Sequence, residues 1–272
     1  MGRELSPSEV ERVMRLASSL GINRVKLTGG EPTLRSDLVE IVKNIASVSG
    51  VDEISMTTNG VLLENLADDL KRAGLGRVNV TIDSLKPEIY SKITGHGFLD
   101  QAKRGIKAAI SANLTPVKIN FVVLRGVNDS EVKDLISFSL KTGSILQLIE
   151  LVSKDDHSDF YSRYHYELGA TERKLEAESI KKIDRGMNRR SKYILGNGAE
   201  VEIVRPMHNT AFCSDCRRIR LTSDGHLKPC LMRDDNLVDI LTPLRRGASD
   251  SELVEIVKEA VRRREPYYKA ES

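Results

Sequence analysis

The chain has 272 residues, of which 40% are hydrophobic, and its formal net charge is +3. A chain of this length can bury a sizeable core, as one large domain or as a large domain with a smaller one. It contains no apolar run of about 18 residues and its N-terminal stretch is charged, so we expect no membrane span, no signal peptide and a cytoplasmic protein. The small net charge gives no basic face of the kind that binds nucleic acid, so no nucleic-acid partner is expected.

Helical and strand patterns alternate through the first half of the chain. Ser6-Pro7-Ser8-Glu9 is a capping box with proline at the first helical position, and apolar residues at helical spacing continue up to Gly21. Short apolar runs predict five strands, with helical patterns between them, at 24–28, 54–57, 78–82, 117–124 and 145–151. This alternation predicts an α/β protein with a parallel sheet of right-handed units, either doubly wound or barrel-like.

Polar residues and glycines follow each predicted strand, at 28–31, 57–60, 83–84 and 125–128 and at Glu150. Because the carboxyl ends of parallel strands meet on one rim, these residues can form a functional site there. Each of them taken alone also fits an ordinary turn, and the sequence leaves that alternative open.

The composition changes after residue 152, which we take as the boundary between a first part, 1–152, and a second part, 153–272. Charged and tyrosine-rich residues at 154–166 are typical of a mobile connection or lid. Beyond them the patterns predict a charged helix over 172–184, a hairpin over 192–204, a short strand at 219–221 and a C-terminal amphipathic helix.

Three cysteines, Cys213, Cys216 and Cys230, are all that the chain contains. An odd number confined to one short segment indicates metal binding rather than a disulfide framework. Three thiolates leave one ligand position open. Zinc would recruit His208, His226 or an outside group, whereas a 4Fe–4S cluster can keep its fourth iron free for a substrate atom. The spacing alone leaves zinc, iron–sulfur and chance proximity as alternatives.

Basic residues stand out at two kinds of position. Arg218 and Arg220 alternate along a predicted strand and so point to one side, where two guanidiniums can hold phosphate oxygens, while Arg217 points away. Solvated surface charges are the alternative. Lys26 and Lys118 each interrupt an apolar strand that we expect to be buried. Because an unpaired buried ammonium is costly, each should have an anionic partner, either a carboxylate or a ligand.

Several motifs follow one another along the chain: Lys26-Leu-Thr-Gly-Gly-Glu-Pro-Thr-Leu-Arg35, Met56-Thr-Thr-Asn-Gly60, Asn79-Val-Thr-Ile-Asp-Ser84, Gly126-Val-Asn128 and Phe212-Cys-x2-Cys-x-Arg-x-Arg220 with Cys230. On these motifs the chain resembles the radical SAM GTP 3',8-cyclases of molybdenum cofactor biosynthesis, from near its start to its final helix. The resemblance implies an incomplete TIM-like (β/α) barrel with a C-terminal iron–sulfur cluster region. It also implies that this cluster is 4Fe–4S, with an open iron that contacts the GTP purine, where spacing left zinc open.

The resemblance also implies site residues, position by position. Gly30, Thr81 and Val152 are implied to contact S-adenosylmethionine, the last at a position where the family often has Met. The positions implied to contact GTP are Lys26, Thr57, Lys118, Arg218, Ile219 and Arg220, which would give both strand lysines the triphosphate as their anion. The implied ligands of the 4Fe–4S cluster are Cys213, Cys216 and Cys230. Where the family can have another arginine on the fifth strand, this chain has Gln147.

Some family features have no counterpart in these residues. A Cys-x3-Cys-x2-Cys loop binds the first 4Fe–4S cluster of the family, and both its cysteines and the first barrel strand are absent here. The family's C-terminal Gly-Gly tail is not matched at 269–272. We therefore expect GTP binding without turnover by this chain alone, with a homodimer left open. The alternative is a nonenzymatic remnant that binds a nucleotide or a partner and carries a structural zinc site.

Overall fold

A twisted, mostly parallel sheet organises the computed structural model, which describes residues 4–268. Its strands are β1 (Arg24–Leu27), β2 (Glu53–Thr58), β3 (Arg77–Thr81), β4 (Lys118–Val123), β5 (Ile145–Glu150), β6 (Ser179–Arg185), β7 (Arg190–Leu195) and β8 (Glu200–Val204). They lie in the order β1-β2-β3-β4-β5-β8-β7-β6. Strands β1 to β5 and β8 are parallel, and β7 and β6 follow as an antiparallel pair. The tail position at 269–272 lies outside the described residues.

This topology confirms the predicted α/β class and the parallel sheet. All five strands predicted in the first half are present, each within about two residues of its expected ends. The sheet does not close on itself, because β1 and β6 form its two edges, which fits an incomplete TIM-like barrel.

Helices follow most of the parallel strands, and several of them cover one side of the sheet. They are α1 (Pro7–Ser19), α2 (Leu38–Ser47), α3 (Leu63–Ala73), α4 (Pro87–Thr94), α5 (Leu99–Ser111), α6 (Val132–Thr142), α7 (Asp159–Tyr164), α8 (Gly169–Glu178), α9 (Thr210–Ser214), α10 (Leu241–Arg245) and α11 (Asp250–Arg262). The predicted capping box starts α1: the Ser6 N–H donates to Glu9 at 2.8 Å and the Glu9 N–H donates to Ser6 Oγ at 3.3 Å. Within 4–268, every helix is too short or too polar to cross a bilayer.

The main sheet has one apolar face and one polar face, because side chains alternate along each strand. Apolar side chains from the strands pack against α2, α3, α5, α6 and α8 in one core, which includes Ile54, Met56, Val78, Val80, Ile119, Phe121, Leu146, Leu148, Val201 and Ile203. The intervening residues point the other way. They form what we call the polar face: Lys26, Ser55, Thr57, Arg77, Asn79, Thr81, Lys118, Asn120, Gln147 and Glu202.

The predicted helix over 172–184 is wrong in its second half. Helix α8 ends at Glu178, the backbone becomes extended at Ser179, and the chain continues as β6. Lysine and glutamate favour a helix locally, but antiparallel pairing with β7, which sets Arg185 opposite Arg190, overrides that preference. The hairpin predicted for β7 and β8 is confirmed.

A small antiparallel sheet carries part of the cysteine segment. Its strands are β9 (Arg220–Leu221), β10 (His226–Lys228) and β11 (Val238–Asp239), with β10 in the middle. Gly225, in the turn between β9 and β10, has φ 81°, and a Cβ there would come within 2.2 Å of Leu241. Only glycine fits that turn. Leu227 of β10 packs with α1 and α11 in a second apolar cluster, whose members include Val13, Leu16, Leu253 and Val257.

Candidate functional site

Positively charged side chains from several strands meet on the polar face. Six of them interact electrostatically and are called the cationic cluster here: Lys26, Arg77, Lys118, Arg185, Arg190 and Arg218. Two carboxylates lie beside them, Glu53 in an ion pair with Arg77 and Glu202 at the centre of a buried network. The cations outnumber these carboxylates, so the face carries an excess of positive charge.

Glu202 on β8 is fully buried, and its carboxylate is shared by three donors. Lys118 Nζ donates to its two oxygens at 2.6 and 2.7 Å, and Gln147 Nε2 donates at 2.9 Å. Arg185 Nη1 donates to Oε1 as well. Burial, the largest single influence, would raise the pKa of Glu202, but Lys118, Arg185 and Arg190 together outweigh it and the pKa is lowered. The sequence prediction of a buried Lys118 with an anionic partner is confirmed, and that partner is a carboxylate.

Lys26 departs from the prediction, because β1 is an edge strand and the lysine keeps an exposed surface. Among residues 4–268 its ammonium has no hydrogen-bond or ion-pair partner. Its pKa is nevertheless lowered to about 8, first because surrounding protein displaces water from the concave face, and then because Arg218 and other cations repel it. An anionic ligand would relieve this repulsion.

The basic segment after the cysteine pair follows the prediction only in part. Strand β9 contains Arg220 but starts after Arg218 and Ile219, so strand alternation does not place those two residues. Arg217 is exposed, whereas Arg218, Ile219 and Arg220 are half-buried. Burial, and next the repulsion from Arg218, lower the pKa of Arg220. The two guanidiniums thus lie close together, as a phosphate-binding fork requires.

The residues implied to contact S-adenosylmethionine lie at the carboxyl ends of strands. Thr81 is the last residue of β3 and is half-buried, while Gly30 follows β1 and Val152 follows β5, both exposed. A Cβ added at Gly30 would meet no atom within 4 Å, so the space above this turn is open. Thr57, implied to contact GTP, is half-buried on the polar face of β2.

Several other polar residues of this rim bond within the protein. Glu31 accepts hydrogen bonds from Thr58 Oγ1 and from the Asn59 N–H, both at 2.7 Å. Asn128 Nδ2 donates to the Asp83 carbonyl at 2.8 Å. Burial raises the pKa of the Asp83 carboxyl to about 6. Glu31, Thr58 and Asn128 thus use their side chains to stabilise the strand ends and turns. This is the ordinary turn role that the sequence left open as an alternative.

The three cysteines are free and half-buried. Cys213 lies in α9, Cys216 follows that helix, and Cys230 follows β10; Cys216 and Cys230 both lie near Arg220. In the part of the chain that the structure describes, no three His, Cys, Asp or Glu side chains are arranged to hold a metal ion. The unbridged thiols fit a cluster as soft donors, but the structure does not bring them to one centre.

The two histidines considered as a fourth zinc ligand each face a carboxylate instead. His208 Nε2 lies 3.0 Å from Asp156, and His226 Nδ1 lies 3.3 Å from Asp224. Neither pairing directs an imidazole nitrogen to the cysteines, so the structure offers no support for zinc completed by these residues.

A turn at 187–189 that the sequence analysis did not single out supports the cysteine helix. Asn188 is buried in the left-handed conformation, with φ 60°, and its Nδ2 donates to the Phe212 carbonyl at 2.7 Å. Arg189 Nε donates to Asp215 at 2.6 Å. These bonds lie on either side of Cys213. Asparagine tolerates the left-handed region better than most residues, which was the available signal.

Two family models match the chain in succession, Radical SAM superfamily over residues 1–139 and Molybdenum Cofactor Synthesis C over residues 144–270. A probable GTP 3',8-cyclase of Thermococcus kodakarensis is 51% identical over 271 residues, which cover 98% of this chain and 87% of that protein. A protein of the same description from Methanothermobacter marburgensis is 49% identical over 273 residues, covering 98% and 87%.

Streptococcus suis SuiB bound to S-adenosylmethionine is a similar solved structure, with a TM-score of 0.56 and 15% identity over 84% of this chain and 53% of that one. At this identity the likeness concerns the fold alone, and it agrees with the open, mostly parallel sheet. The relatives match nearly the whole chain at about half identity. The chain therefore belongs to the GTP 3',8-cyclase family of the radical SAM superfamily.

Proposed function

We propose that the chain acts as a GTP 3',8-cyclase and binds the triphosphate of GTP on its polar face. The observation that carries this proposal is the cationic cluster, in which Lys26 has no anionic partner within 4–268 and a pKa lowered to about 8. A triphosphate supplies several acceptor oxygens and the negative charge that offsets the repulsion. The description of the relatives selects GTP among nucleoside triphosphates.

Different residues of this face would contact different parts of the nucleotide. Lys26, Arg218 and Arg220 would bind phosphate oxygens. Lys118 would contribute its positive charge while it remains paired with Glu202. Thr57 would donate its hydroxyl. Ile219 is the apolar residue between the two arginines, and its side chain packs against the second apolar cluster, which would fix the position of both arginines.

Cys213, Cys216 and Cys230 would ligate a 4Fe–4S cluster next to the purine. Such a cluster, when bound by three cysteines, offers an iron without a protein ligand to a substrate atom. Arg220 lies near both Cys216 and Cys230, which supports placing the phosphate site and the cluster side by side. The turn at 187–189 would fix the position of Cys213.

S-adenosylmethionine would bind at the rim, at Gly30, Thr81 and Val152. Arg77 and Thr81 lie at opposite ends of β3, roughly 13 Å apart along the strand. This separation leaves room for the ribose between triphosphate and rim. The chain's own part would be to hold the ribose toward S-adenosylmethionine and keep water out. A radical from S-adenosylmethionine would require a reduced cluster, and the cysteines that hold this cluster in the family are not among these residues.

The nonenzymatic zinc module is not favoured. Both family models match, and together they extend over the first and the second part of the chain. The comparisons also give no support to the expectation that the chain lacks activity.

GTP binding by the full chain tests the phosphate site. Lys26→Gln should weaken binding at least about tenfold, because it removes a charge-assisted contact. Lys107→Gln, at an exposed position of α5, is the matched control and should leave the affinity unchanged. Titration calorimetry at fixed salt measures both. Equal affinity of wild type and Lys26→Gln would remove the support for this site.

Anaerobic reconstitution tests the metal centre. About four irons per three-cysteine cluster, with broad brown absorbance, support the proposal. A colourless protein with one zinc would overturn it. Incubation with GTP, S-adenosylmethionine and a reductant, followed by mass spectrometry for the cyclised nucleotide, then measures the activity itself.

A further inference from the structure

Arg190 is the member of the cationic cluster that the resemblance to the family leaves without a role. It is the first residue of β7 and follows the turn at 187–189 directly. Two residues further on, Lys192 lies opposite Glu202 in the antiparallel pairing of β7 with β8. Because alternate residues of a strand share a side, Arg190 points to the same side as Glu202, which is the polar face.

The guanidinium of Arg190 has no partner among residues 4–268. Its Nε is buried without a hydrogen bond, and its terminal nitrogens also bond to no described residue. Glu202 is near enough to attract it, yet the Glu202 oxygens already accept from Lys118, Gln147 and Arg185. An arginine cannot shed its charge by losing a proton, so an enclosed and unpaired guanidinium calls for an anion from outside the chain.

The charges around Arg190 also favour an anionic ligand. Burial first, and then the repulsion from Arg218, lower its pKa, and Arg185 and Arg77 act in the same direction. Arg190 in turn repels Lys26. Arg190 therefore faces the same concave region as Lys26 and Arg218, the two residues to which the proposed function gives the triphosphate.

Because Gln147 is neutral, the fifth strand contributes no cation at this position of the polar face. The family can have an arginine at this position of the fifth strand, but Gln147 is neutral and its amide donates to Glu202 at 2.9 Å. A guanidinium that enters from β7 can supply the missing fork from the other side of Glu202.

We propose that Arg190 is a further phosphate-binding residue of the polar face and supplies, from β7, the guanidinium that the fifth strand lacks at Gln147. The inference rests on the proposed function for the identity of the nucleotide. Its chemical content is narrower: Arg190 binds phosphate oxygens of a triphosphate and makes no contact with the base.

Calorimetry with GTP, GMP and inorganic tripolyphosphate tests the inference on the full chain at fixed salt. Arg190→Gln should weaken GTP and tripolyphosphate at least about tenfold, because a charge-assisted pair is lost, and should change GMP by less than about twofold. Arg190→Lys keeps the charge but not the fork, so its loss should be intermediate. Arg173→Gln, at an exposed position of α8, is the control and should leave all three affinities unchanged.

Thermal unfolding without ligand separates binding from a structural role. Removing one of several crowded cations should leave the melting temperature of Arg190→Gln equal to or above that of wild type, whereas a structural arginine would lower it. Arg190→Gln that binds GTP as tightly as wild type, or weakens GTP and GMP alike, overturns the inference and leaves the proposed function standing. Wild type that binds tripolyphosphate through Arg190 but not GTP overturns the proposed function and leaves the inference standing.

Discussion

Glu202 explains how a carboxylate can sit among many cations without neutralising them. Its oxygens are occupied by Lys118, Gln147 and Arg185, all held by neighbouring strands. No acceptor position remains for Lys26, which keeps its repulsion from the other cations. Lys26 and Arg190 are therefore left without a partner among residues 4–268, and a ligand with several anionic oxygens is suited to them.

The lowered pKa of Lys26 predicts how GTP affinity depends on pH. Because the pKa is about 8 in the free protein, the ammonium is lost above that pH and affinity should fall by up to about tenfold per pH unit. Lys26→Arg keeps its charge and should flatten this fall. Dissociation constants between pH 6.5 and 9.5 measure both curves. Lys107→Arg is the control, and a wild-type curve as flat as that of Lys26→Arg would refute the assignment.

The same pKa fixes the sign of a stability effect. The unfolded lysine holds its proton up to about pH 10.5, whereas the folded one releases it near pH 8. Between these values the unfolded chain binds more protons, so Lys26 makes the free energy of unfolding rise with pH in that window.

Some residues of the candidate site could be predicted from the sequence because they break a pattern. Lys26 and Lys118 interrupt apolar strands, whereas the alternation expected for Arg218 and Arg220 is not observed because β9 starts at Arg220. Glu202 and Arg190 break no pattern: one is a polar position in a regular alternation and the other stands among surface-like charges. Only the pairing of β8 with β5 reveals that the Glu202 side of the strand is buried.

At the scale of elements, the turn at 187–189 joins the β6–β7 hairpin to the cysteine helix. Asn188 bonds to the residue before Cys213, and Arg189 bonds to Asp215. Asn188 is buried, whereas the Arg189 side chain is 70% exposed. The Asn188 hydrogen bond should therefore stabilise the contact with the cysteine helix more than the Arg189 ion pair does.

Substitutions at Asn188 test this holding role. Asn188→Gly keeps the left-handed backbone but loses the bond to Phe212, which should cost about 1–2 kcal/mol of unfolding free energy. Asn188→Ala should cost about 1 kcal/mol more, because alanine is strained at φ 60°. Urea unfolding measures both, and iron release to a chelator after reconstitution should be faster in each. Arg189→Gln should change stability by less than about 1 kcal/mol, and a larger loss there would contradict the ranking.

The elements that the sequence predicted correctly are those fixed by local pattern. The strands β1 to β5 and the capping box of α1 carry their own signals. Strand β6 does not: its two lysines favour a helix, and only pairing with β7 makes it extended. The start of β9 was not predicted for a similar reason, because this strand is determined by its pairing with β10 rather than by its own residues.

At the scale of the whole molecule, the second apolar cluster joins the two ends of the described chain. Val13 and Leu16 of α1 pack with Leu253 and Val257 of α11, and Leu227 of β10 completes the contact. Arg12 of α1 also bonds to Asp250 at 2.9 Å. The sheet that carries Arg220 therefore depends on helices from both ends.

Leu253→Ala tests this dependence. The side chain is fully buried, so its truncation should cost about 2–5 kcal/mol of unfolding free energy. Hydrogen exchange should also become faster at β9 and β10, whose residues share the cluster. Val261→Ala on the same helix is 48% exposed and should cost less than about 1 kcal/mol. Faster exchange confined to α11 would show that the small sheet is held independently.

The contact between α1 and α11 has a consequence for the order of events on the ribosome. The apolar side of α1 is synthesised well before α11, which carries its partner Leu253. During synthesis that side stays without its native cover until α11 has left the exit tunnel. The cysteine loops lie between these helices in sequence, so their final placement, and any metal loading that depends on it, follows the synthesis of α11.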